Sequence, residues 1–276
     1  MVNNKLAFPL LMKHHGIPTP EVRGVIRKGL FYPLHPGRTM APSKFIEESC
    51  KPEEQLVLKP IWGAHGIGVI MVKRSVNGFK LNGKDTPLHT FNDILNKLEN
   101  YVVTDFVSQG EYGARLYSDT TNTIRMVTFW DAETKKPFIA KVVQRIGTSR
   151  SYPVDNFRAG RGGLSASIDP DTGELGSGAM VDTKGHVTWH SHHPESHAQI
   201  QGTIVPSWDK IRTSILEYSD RFAFAPCIGW DIVPTHSGFS IIEGNSTPGM
   251  PVLQVHGPIL TDPRIRRFYK YHHVIT

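Results

Sequence analysis

The chain has 276 residues, of which 39% are hydrophobic and 20% are charged, and its formal net charge is +6. This is an ordinary globular composition, and no apolar run approaches the ~20 residues that span a bilayer, so we expect a cytoplasmic protein without membrane insertion. The mild positive charge fits a partner that carries phosphates, such as a nucleotide, at least as well as it fits a nucleic acid.

The first predicted element is a helix over residues 5–15, with Leu6, Leu10 and Leu11 on its inward face and Gly16 at its end. A strand is predicted over residues 21–26. Because chains rarely begin so close to a packed element, we expect an N-terminal domain that is short or absent, or that a partner supplies.

Residues 55–72 predict a strand, a glycine-rich loop and a second strand. The first strand ends in Lys59, and the loop contains Gly63, His65, Gly66 and Gly68. Glycines let backbone amides approach an anion closely, and a lysine that leads into such a loop is placed to neutralise phosphate. The loop is not the P-loop of mononucleotide-binding sheets, because no Gly-Lys-Ser/Thr follows it. A plain glycine-rich hairpin remains the alternative.

An amphipathic helix over residues 90–100 leads into an apolar strand over residues 101–107. The segment after this strand, residues 108–113, is expected to be a flexible linker between two lobes. The strand's backbone is suited to read an adenine edge, and Glu111 is suited to bind ribose hydroxyls. A solvated loop acid is the more common role of such a residue.

Two strands are predicted over residues 122–129 and 136–146. Arg125 lies between apolar neighbours on the first, and Lys141 and Arg145 share one face of the second. An arginine among apolar residues is usually paired or faces a ligand, because burying it alone is costly. These cations suit a phosphoryl group in transfer, and a solvated sheet face is the alternative.

A group of histidines between residues 186 and 197 contains candidate ligands for a zinc ion. Their spacing matches no zinc motif, and no cysteine lies among them. We therefore expect a solvent-exposed loop here, with metal binding as the less favoured alternative.

Strands over residues 228–233 and 241–245 are joined by a hairpin turn. Glu243 and Asn245 share one face of the second strand, and antiparallel pairing brings Asp231 beside them. Two carboxylates this close require a cation, and oxygen donors of this kind bind hard cations. The sequence therefore predicts a divalent-cation site at this hairpin.

Short motifs occur in a fixed order along most of the chain. They are Asn4-Lys5-Leu6-Ala7 with Gly16-Ile17-Pro18-Thr19-Pro20, Leu58-Lys59-Pro60 through Gly66-Ile67-Gly68, Asn122-Thr123-Ile124-Arg125, Asp155-Asn156-Phe157 with Gly162-Gly163, Ile228-Gly229-Trp230-Asp231, and Glu243-Gly244-Asn245. Each is weak alone, but in this order they resemble the ATP-grasp superfamily and, within it, the sugar-transfer-associated ATP-grasp family. The resemblance implies an α+β ATP-grasp fold over residues 1–276. In that fold a smaller lobe (21–107) with a glycine lid and a larger lobe (108–276) with metal-binding strands clamp ATP.

The resemblance also implies roles for single residues. For ATP these are Lys5 and Lys59 on the phosphates, the lid with Gly63, His65, Gly66 and Gly68, the backbone of Asp105 and Val107 on adenine, Glu111 on ribose, and Lys141. Asp231, Glu243 and Asn245 resemble ligands of Mg2+, with Mn2+ possible. Lys59, Arg125 and Arg145 are the expected catalytic cations, since Gly229 stands where some relatives carry a phosphate-binding arginine. Asn156 and Arg161 are expected to contact the acceptor.

Most ATP-grasp enzymes are ligases, so the resemblance implies an ATP- and magnesium-dependent ligase that works through an acyl phosphate. It would join a small-molecule carboxylate to an amine, or to a thiol, a hydroxyl or a sugar-linked acceptor, in polysaccharide, cell-envelope or secondary-metabolite biosynthesis. A kinase acting on a sugar or polyol hydroxyl is one alternative, and a non-catalytic nucleotide-binding module is another. No nucleic-acid partner is expected, and a homo-oligomer is compatible with the sequence.

Overall fold

The computed structural model describes residues 1–63, 66–76 and 78–276, and these divide into two compact units. The first unit comprises Met1 and Asn3–Val107, and the second comprises Val2 and Ser108–Thr276. Each unit contains a seven-stranded sheet, whose strand pairs are antiparallel, together with helices. The α+β fold class predicted from the sequence is therefore confirmed.

The first unit packs helices against its sheet. Its strands are β1 (Val22–Arg27), β2 (Leu30–Pro33), β3 (Gln55–Pro60), β4 (Ile70–Ser75), β5 (Gly78–Leu81), β6 (Lys84–Thr86) and β7 (Tyr101–Asp105), in the order β2-β1-β7-β3-β4-β5-β6, and its helices are α1 (Ala7–His14), α2 (Pro42–Ser49) and α3 (Leu88–Asn96). The core joins Ile46 of α2 and Phe91 and Leu95 of α3 to apolar strand residues such as Leu58. These side chains are removed from water, which is the main favourable term in folding.

The second unit has the longer strands and carries most of the predicted site. Its strands are β8 (Ile124–Asp131), β9 (Lys136–Ile146), β10 (Leu164–Ile168), β11 (Leu175–Val181), β12 (Val187–His190), β13 (Cys227–Thr235) and β14 (Gly238–Asn245), in the order β12-β11-β10-β9-β8-β13-β14. Its helices are α4 (Glu111–Leu116), α5 (Trp208–Arg221), α6 (Pro251–Gln254) and α7 (Pro263–Tyr271), with a 3-10 turn at Ile259–Thr261.

Both faces of the central strands of this sheet are covered. On one face Thr128 contacts Ser219 of α5 at 2.8 Å and accepts a hydrogen bond from the indole of Trp230 at 2.9 Å. On the other face Phe129 and Val143 share a core with residues of α6 and α7. Arg125 and Asp231 belong to this second face, since side chains two positions apart point the same way.

Two local predictions differ from the structure. In α1 the buried side chains include Phe8 and Met12, whereas Leu10 is 43% exposed. The Asn4 side chain accepts hydrogen bonds from the amides of Leu6 and Ala7, and the helix starts at Ala7, two residues later than predicted.

Residues 108–113 are not a loose linker. Helix α4 begins at Glu111, and the side chain of Gln109 donates to the carbonyls of Tyr117 and Thr120.

Within the described residues, none of the helices is long and apolar enough to cross a bilayer.

Candidate functional site

The glycine-rich loop of the first unit connects β3 to β4 and carries conformations that favour glycine. Gly63, Gly66 and Gly68 have φ angles of +136°, +65° and +76°, a region that side chains other than glycine rarely adopt. Lys59 lies one residue before the end of β3. His65 lies outside the described residues, so its predicted role stays a prediction.

Lys5 is held against this loop although it is 58 positions from Gly63 in the sequence. Its amide donates to the carbonyl of Ile61 at 3.2 Å, and its ammonium group donates to the carbonyl of Gly63. The first unit therefore brings together Lys5 and the glycine loop, two of the features predicted to bind phosphate.

The predicted adenine-binding backbone lies at the end of β7. The side chain of Asp105 pairs with Arg23, and its amide donates to the carbonyl of Glu21 at 3.0 Å. Within the described part of its own unit, the amide of Val107 has no acceptor. Val107 thus retains the donor that an adenine edge requires, whereas the amide of Asp105 is already used.

The centre of the site in the second unit is Asp231, on β13. The strand register places it opposite Arg125 of β8 and opposite Glu243 of β14. Arg125 donates to both carboxylate oxygens of Asp231, at 3.0 Å for the Nη2–Oδ2 pair, and Arg145 of β9 adds a bond to Oδ2 at 3.1 Å. The two predicted catalytic arginines therefore converge on one carboxylate.

Asp155 and Thr123 complete this group, and sequence reasoning did not assign them roles. One carboxylate oxygen of Asp155 accepts from the amide of Thr123 at 2.7 Å and from its hydroxyl at 2.6 Å, and the other lies 3.4 Å from Arg145. The Thr123 hydroxyl in turn accepts from Arg145. Asp155 and Thr123 lie within two of the motifs that carry the resemblance, and this was the signal that could have identified them.

We define the arginine–carboxylate cluster as Arg125, Arg145, Asp155 and Asp231. In this cluster, burial and neighbouring charges shift the pKa values in opposite directions. Burial alone would raise the pKa of the Asp231 carboxyl, which is 2% exposed, but Arg125 and Arg145 hold it below its usual range. Burial would likewise lower the pKa of Arg145, and Asp155 and Asp231 raise it instead. Asp231 and Arg145 are therefore both charged at neutral pH.

The donors beside the cluster fit a magnesium ion. Glu243 is paired with Asp231 and Asn245 with Gly229, so the three side chains share a face of the sheet. The amide nitrogen of Asn245 is buried and lacks a hydrogen-bond partner among the described residues, so its carboxamide is not locked by the protein. An ionised carboxylate has about four acceptor positions, and the guanidinium groups use three of those on Asp231.

Positive charge at Asp231 is supplied by the protein itself. We expected two close carboxylates to require a bound cation, but Arg125 and Arg145 already supply positive charge at Asp231. In the part of the chain that the structure describes, no group of three His, Cys, Asp or Glu side chains is arranged to hold a metal. The case for magnesium therefore rests on the oxygen donors of Glu243 and Asn245 and on the remaining position of Asp231.

The histidine-rich segment shows a structural role for its buried member. His193 is fully buried, its Nε2 lies 2.8 Å from the carbonyl of Gly147, and its Nδ1 accepts from the amide of Ser196 at 3.0 Å. Burial lowers the pKa of its imidazole. Both ring nitrogens are therefore used inside the protein and are not available to a zinc ion. The predicted solvent-exposed loop is correct only in part, because Val187–His190 forms strand β12 and His193 is buried.

The four remaining predicted residues lie in different parts of the second unit. Glu111 is exposed at the first residue of α4, and Arg161 is exposed in a turn where its amide donates to the carbonyl of Arg158. Asn156 is half-buried next to Asp155. Lys141 lies four residues before Arg145 on the same face of β9 and lines a cavity beside the cluster.

The fold and these residues together describe a protein of the ATP-grasp class. The model of the sugar-transfer associated ATP-grasp family matches residues 1–268. The chain belongs to this family, which confirms the resemblance inferred from the motifs.

More distant similarities were also found. A protein named "ATP-grasp enzyme ankG" from Aspergillus thermomutatus is 27% identical over 121 residues, which cover 40% of this chain and 23% of that protein. A D-alanine–D-alanine ligase from Bacillus anthracis is 14% identical with a TM-score of 0.49, and the match covers 99% of this chain and 69% of the ligase. A D-alanyl-alanine synthetase A from Vibrio cholerae is 12% identical with a TM-score of 0.49, over 97% and 65% of the two chains. The matched part of this chain thus spans less than a quarter of the curated relative.

Proposed function

We propose that the chain is an ATP- and magnesium-dependent ligase that activates a small-molecule carboxylate as an acyl phosphate. The observation that supports this best is the convergence of Arg125 and Arg145 on Asp231, with Glu243 and Asn245 on the same sheet face. Two arginines beside oxygen donors for a cation are suited to stabilise a phosphoryl group in transfer.

The proposed reaction has two steps and needs no protein nucleophile. A carboxylate oxygen of the substrate forms a bond to the γ-phosphorus of ATP while the bond to the bridging oxygen breaks, and ADP leaves. An amine then attacks the acyl carbon, phosphate leaves, and the amine proton passes to solvent. The work of the protein is positioning and charge neutralisation.

The residues of the second unit divide this work. Arg125 and Arg145 would neutralise charge on the transferred group, and Asp231 and Asp155 fix the two guanidinium groups in place through the bonds described above. Glu243, Asn245 and the remaining acceptor position of Asp231 would hold Mg2+, or Mn2+. The ion supplies charge neutralisation on the phosphate oxygens when it is bound.

In the first unit, Lys5, Lys59 and the amides of the glycine loop would bind phosphate oxygens. Lys5 already lies on that loop, and backbone amides next to glycines accept anions closely. The amide of Val107 would donate to adenine. Glu111 is the candidate for the ribose hydroxyls, and Asn156 and Arg161 are the candidates for the acceptor.

The experiment that tests the reaction class is ATP turnover in the presence of hydroxylamine with a panel of carboxylates, amines and sugars. A ligase forms an acyl phosphate that hydroxylamine converts to a hydroxamate. A kinase instead forms a phosphate ester that hydroxylamine leaves intact. Binding of ATP without ADP formation across the panel would contradict both and support a nucleotide-binding module.

The assignment of Glu243 is tested by Glu243→Ala, with Glu217→Ala as the matched control. Glu243 is half-buried at the site, whereas Glu217 pairs with Arg221 on the exposed side of α5. We expect the first variant to lose ATP turnover while it keeps the circular dichroism spectrum of the wild type, and the second to retain both. Normal ATP turnover in Glu243→Ala would contradict the assignment of Glu243 as a metal ligand.

A further inference from the structure

The second unit contains a cavity of about 480 Å³, and of its lining residues only Lys141 has a role so far, the ATP contact that the resemblance implies. Strand β9 lines it with Lys141 and Val143, and Arg145 of the arginine–carboxylate cluster follows two positions later. Alternate side chains of a strand share a face, and two residues span about 6.6 Å. The cavity therefore opens on the same sheet face as the arginine–carboxylate cluster. Along β9 its nearest lining residue, Val143, is two residues from Arg145.

The volume of the cavity limits what it can hold. Sites for small molecules have volumes of roughly 300–1,000 Å³, so this cavity accommodates a molecule the size of a monosaccharide or a modified amino acid. Its walls come from β9, from β10 through Ser167, from β12 through Trp189, and from the segment around α6 through His256.

The charged groups of the cavity leave one cation without an anionic partner. Asp262 and Arg264 both line the cavity, and they pair with each other at 2.7 Å. The side chain of Lys141 forms no ion pair or hydrogen bond with any residue that the structure describes. An ammonium group in a cleft attracts an anion, because the low-dielectric walls strengthen the interaction.

The other polar groups of the cavity favour a hydroxylated ring. Ser165 donates its hydroxyl proton to the carbonyl of Val252 at 2.7 Å, so it must accept from Nε2 of His256, which lies 3.0 Å away. This fixes the tautomer and leaves Nδ1 of His256 as an acceptor. Burial lowers the pKa of His256 to about 4, and nearby Lys141 acts in the same direction, so the ring is neutral at neutral pH.

Trp189 adds a flat apolar surface. It is 53% exposed, and the centroid of its ring lies 5.5 Å from that of His256, with an interplanar angle of 63°. An exposed indole combines an apolar face with a large contact area. Such a face packs against the C–H groups of a sugar ring while the ring's hydroxyls reach neighbouring polar atoms.

We propose that this cavity binds the acceptor of the reaction, and that the acceptor is a monosaccharide-sized ring compound carrying one carboxylate or phosphate group. The anionic group pairs with Lys141, in place of the ATP contact that the resemblance implies for this residue. The ring packs on Trp189, and a hydroxyl donates to His256. Lys141 and Arg145 are about 13 Å apart along β9, so a molecule anchored at Lys141 extends toward the cluster. The identity of this pocket as an acceptor site rests on the proposed ligase function, but its ligand class does not.

Isothermal titration calorimetry on the full chain tests the ligand class with D-glucuronate, D-glucose 6-phosphate and D-glucose as probes. We expect at least one of the two anionic sugars to bind, and to bind at least about tenfold more tightly than glucose. Lys141→Met should weaken that binding by about tenfold or more. Trp189→Ala should also weaken it, because the stacking surface is lost.

Lys136→Met is the matched control, because Lys136 is exposed at the far end of the same strand and does not line the cavity. Its affinity for the anionic sugar should equal that of the wild type. Thermal melts of each variant show that it is folded. Equal affinity of the wild type and Lys141→Met, or no heat from either anionic sugar up to about 10 mM, would overturn the proposal.

A parallel titration of the wild type with MgATP separates this inference from the ligase proposal. If the anionic sugar binds in a Lys141-dependent manner but ATP does not bind, the ligand class stands and the ligase function fails. If ATP is turned over but neither anionic sugar binds, the ligase function stands and the cavity proposal fails.

Discussion

Asp231 accepts hydrogen bonds from two nitrogens of Arg125 on the neighbouring strand, in a place where the two residues are only 2% and 8% exposed. The pair joins β13 to β8, which are adjacent interior strands of the seven-stranded sheet. Its members were recognised from the sequence as a metal ligand and a catalytic cation, yet in the structure they are first of all partners of each other. The same contact therefore serves both folding and the proposed chemistry.

Removal of Asp231 should destabilise the protein strongly, because it leaves two buried guanidinium groups without their shared partner. We expect Asp231→Ala to lower the free energy of unfolding by about 3–5 kcal/mol. Urea denaturation followed by circular dichroism measures this. Asp171→Ala is the control, since Asp171 is 86% exposed and pairs with Arg212 at the surface; its loss should cost about 0–1 kcal/mol. Equal losses in the two variants would contradict the role given to the buried pair.

Asp155 and Asp231 should be energetically coupled, because both contact Arg145. Alone, Asp155→Ala leaves the amide and hydroxyl of Thr123 without their acceptor, and we expect a loss of about 1–3 kcal/mol. The double variant should differ from the sum of the single variants by about 0.5–3 kcal/mol. The same urea experiments on the four proteins give this interaction energy, and strict additivity would show that Arg145 does not link the two carboxylates.

The register of the hairpin proposed to bind the metal was predictable because it is local. Strands β13 and β14 are joined by a short turn, and alternation alone places Glu243 and Asn245 beside Asp231. Asp155 was not predictable in this way, because an irregular loop carries it to the cluster. Turn hydrogen bonds hold the start of that loop, such as the bond between the amide of Ser151 and the carbonyl of Thr148, and no hydrophobic period encodes them.

The inward face of α1 was missed for a related reason. Periodicity fixes which residues share a face, but packing against the rest of the unit decides which face is buried, and here the buried side chains include Phe8 and Met12. The pairing of Arg125 and Arg145 with Asp231 was also not predictable from the sequence. The sequence offered Arg125 and Arg145 as phosphate binders and Asp231 as a metal ligand, and only the cross-strand register reveals that they pair.

Gly68 should not tolerate a side chain. Its φ is +76°, and an added Cβ would lie 2.8 Å from the Tyr101 hydroxyl and 3.0 Å from Cγ of Pro60. We expect Gly68→Ala to lower the free energy of unfolding by about 1–2 kcal/mol from backbone strain, with the close contacts adding to this. Gly249→Ala is the control, because apart from its chain neighbours no atom of the described residues lies within 4 Å of its Cβ position, and its φ is not in the left-handed region. A similar stability of the two variants would show that the glycine loop relaxes freely.

Lys5 should contribute to nucleotide affinity, since the structure holds its ammonium group on the glycine loop. A hydrogen bond that involves a charged group contributes about 1.5–3 kcal/mol, so Lys5→Met should weaken MgATP binding by roughly 10- to 100-fold. Titration calorimetry measures the affinity. Lys44→Met is the control, because Lys44 is exposed on α2 and pairs with Glu48. Unchanged ATP affinity in Lys5→Met would remove Lys5 from the proposed phosphate site.

His256 should make the stability depend on pH between about 6.5 and 4. Burial, with Lys141 acting in the same direction, lowers its pKa to about 4 in the folded protein, whereas an unfolded histidine titrates near 6.5. The unfolded state therefore binds the proton first as the pH falls, so the stability contributed by the neutral ring is complete above pH ~6.5 and is lost toward pH ~4. The full shift corresponds to about 3 kcal/mol, which solvent screening of the partly exposed ring reduces to about 1–2 kcal/mol.

Urea denaturation of the wild type and of His256→Gln at several pH values tests this, because the difference between them cancels the other titrating groups. From pH ~7.5 to ~4.5 the wild type should lose about 1–2 kcal/mol relative to the variant, and a difference that does not change with pH would show that the ring is solvated.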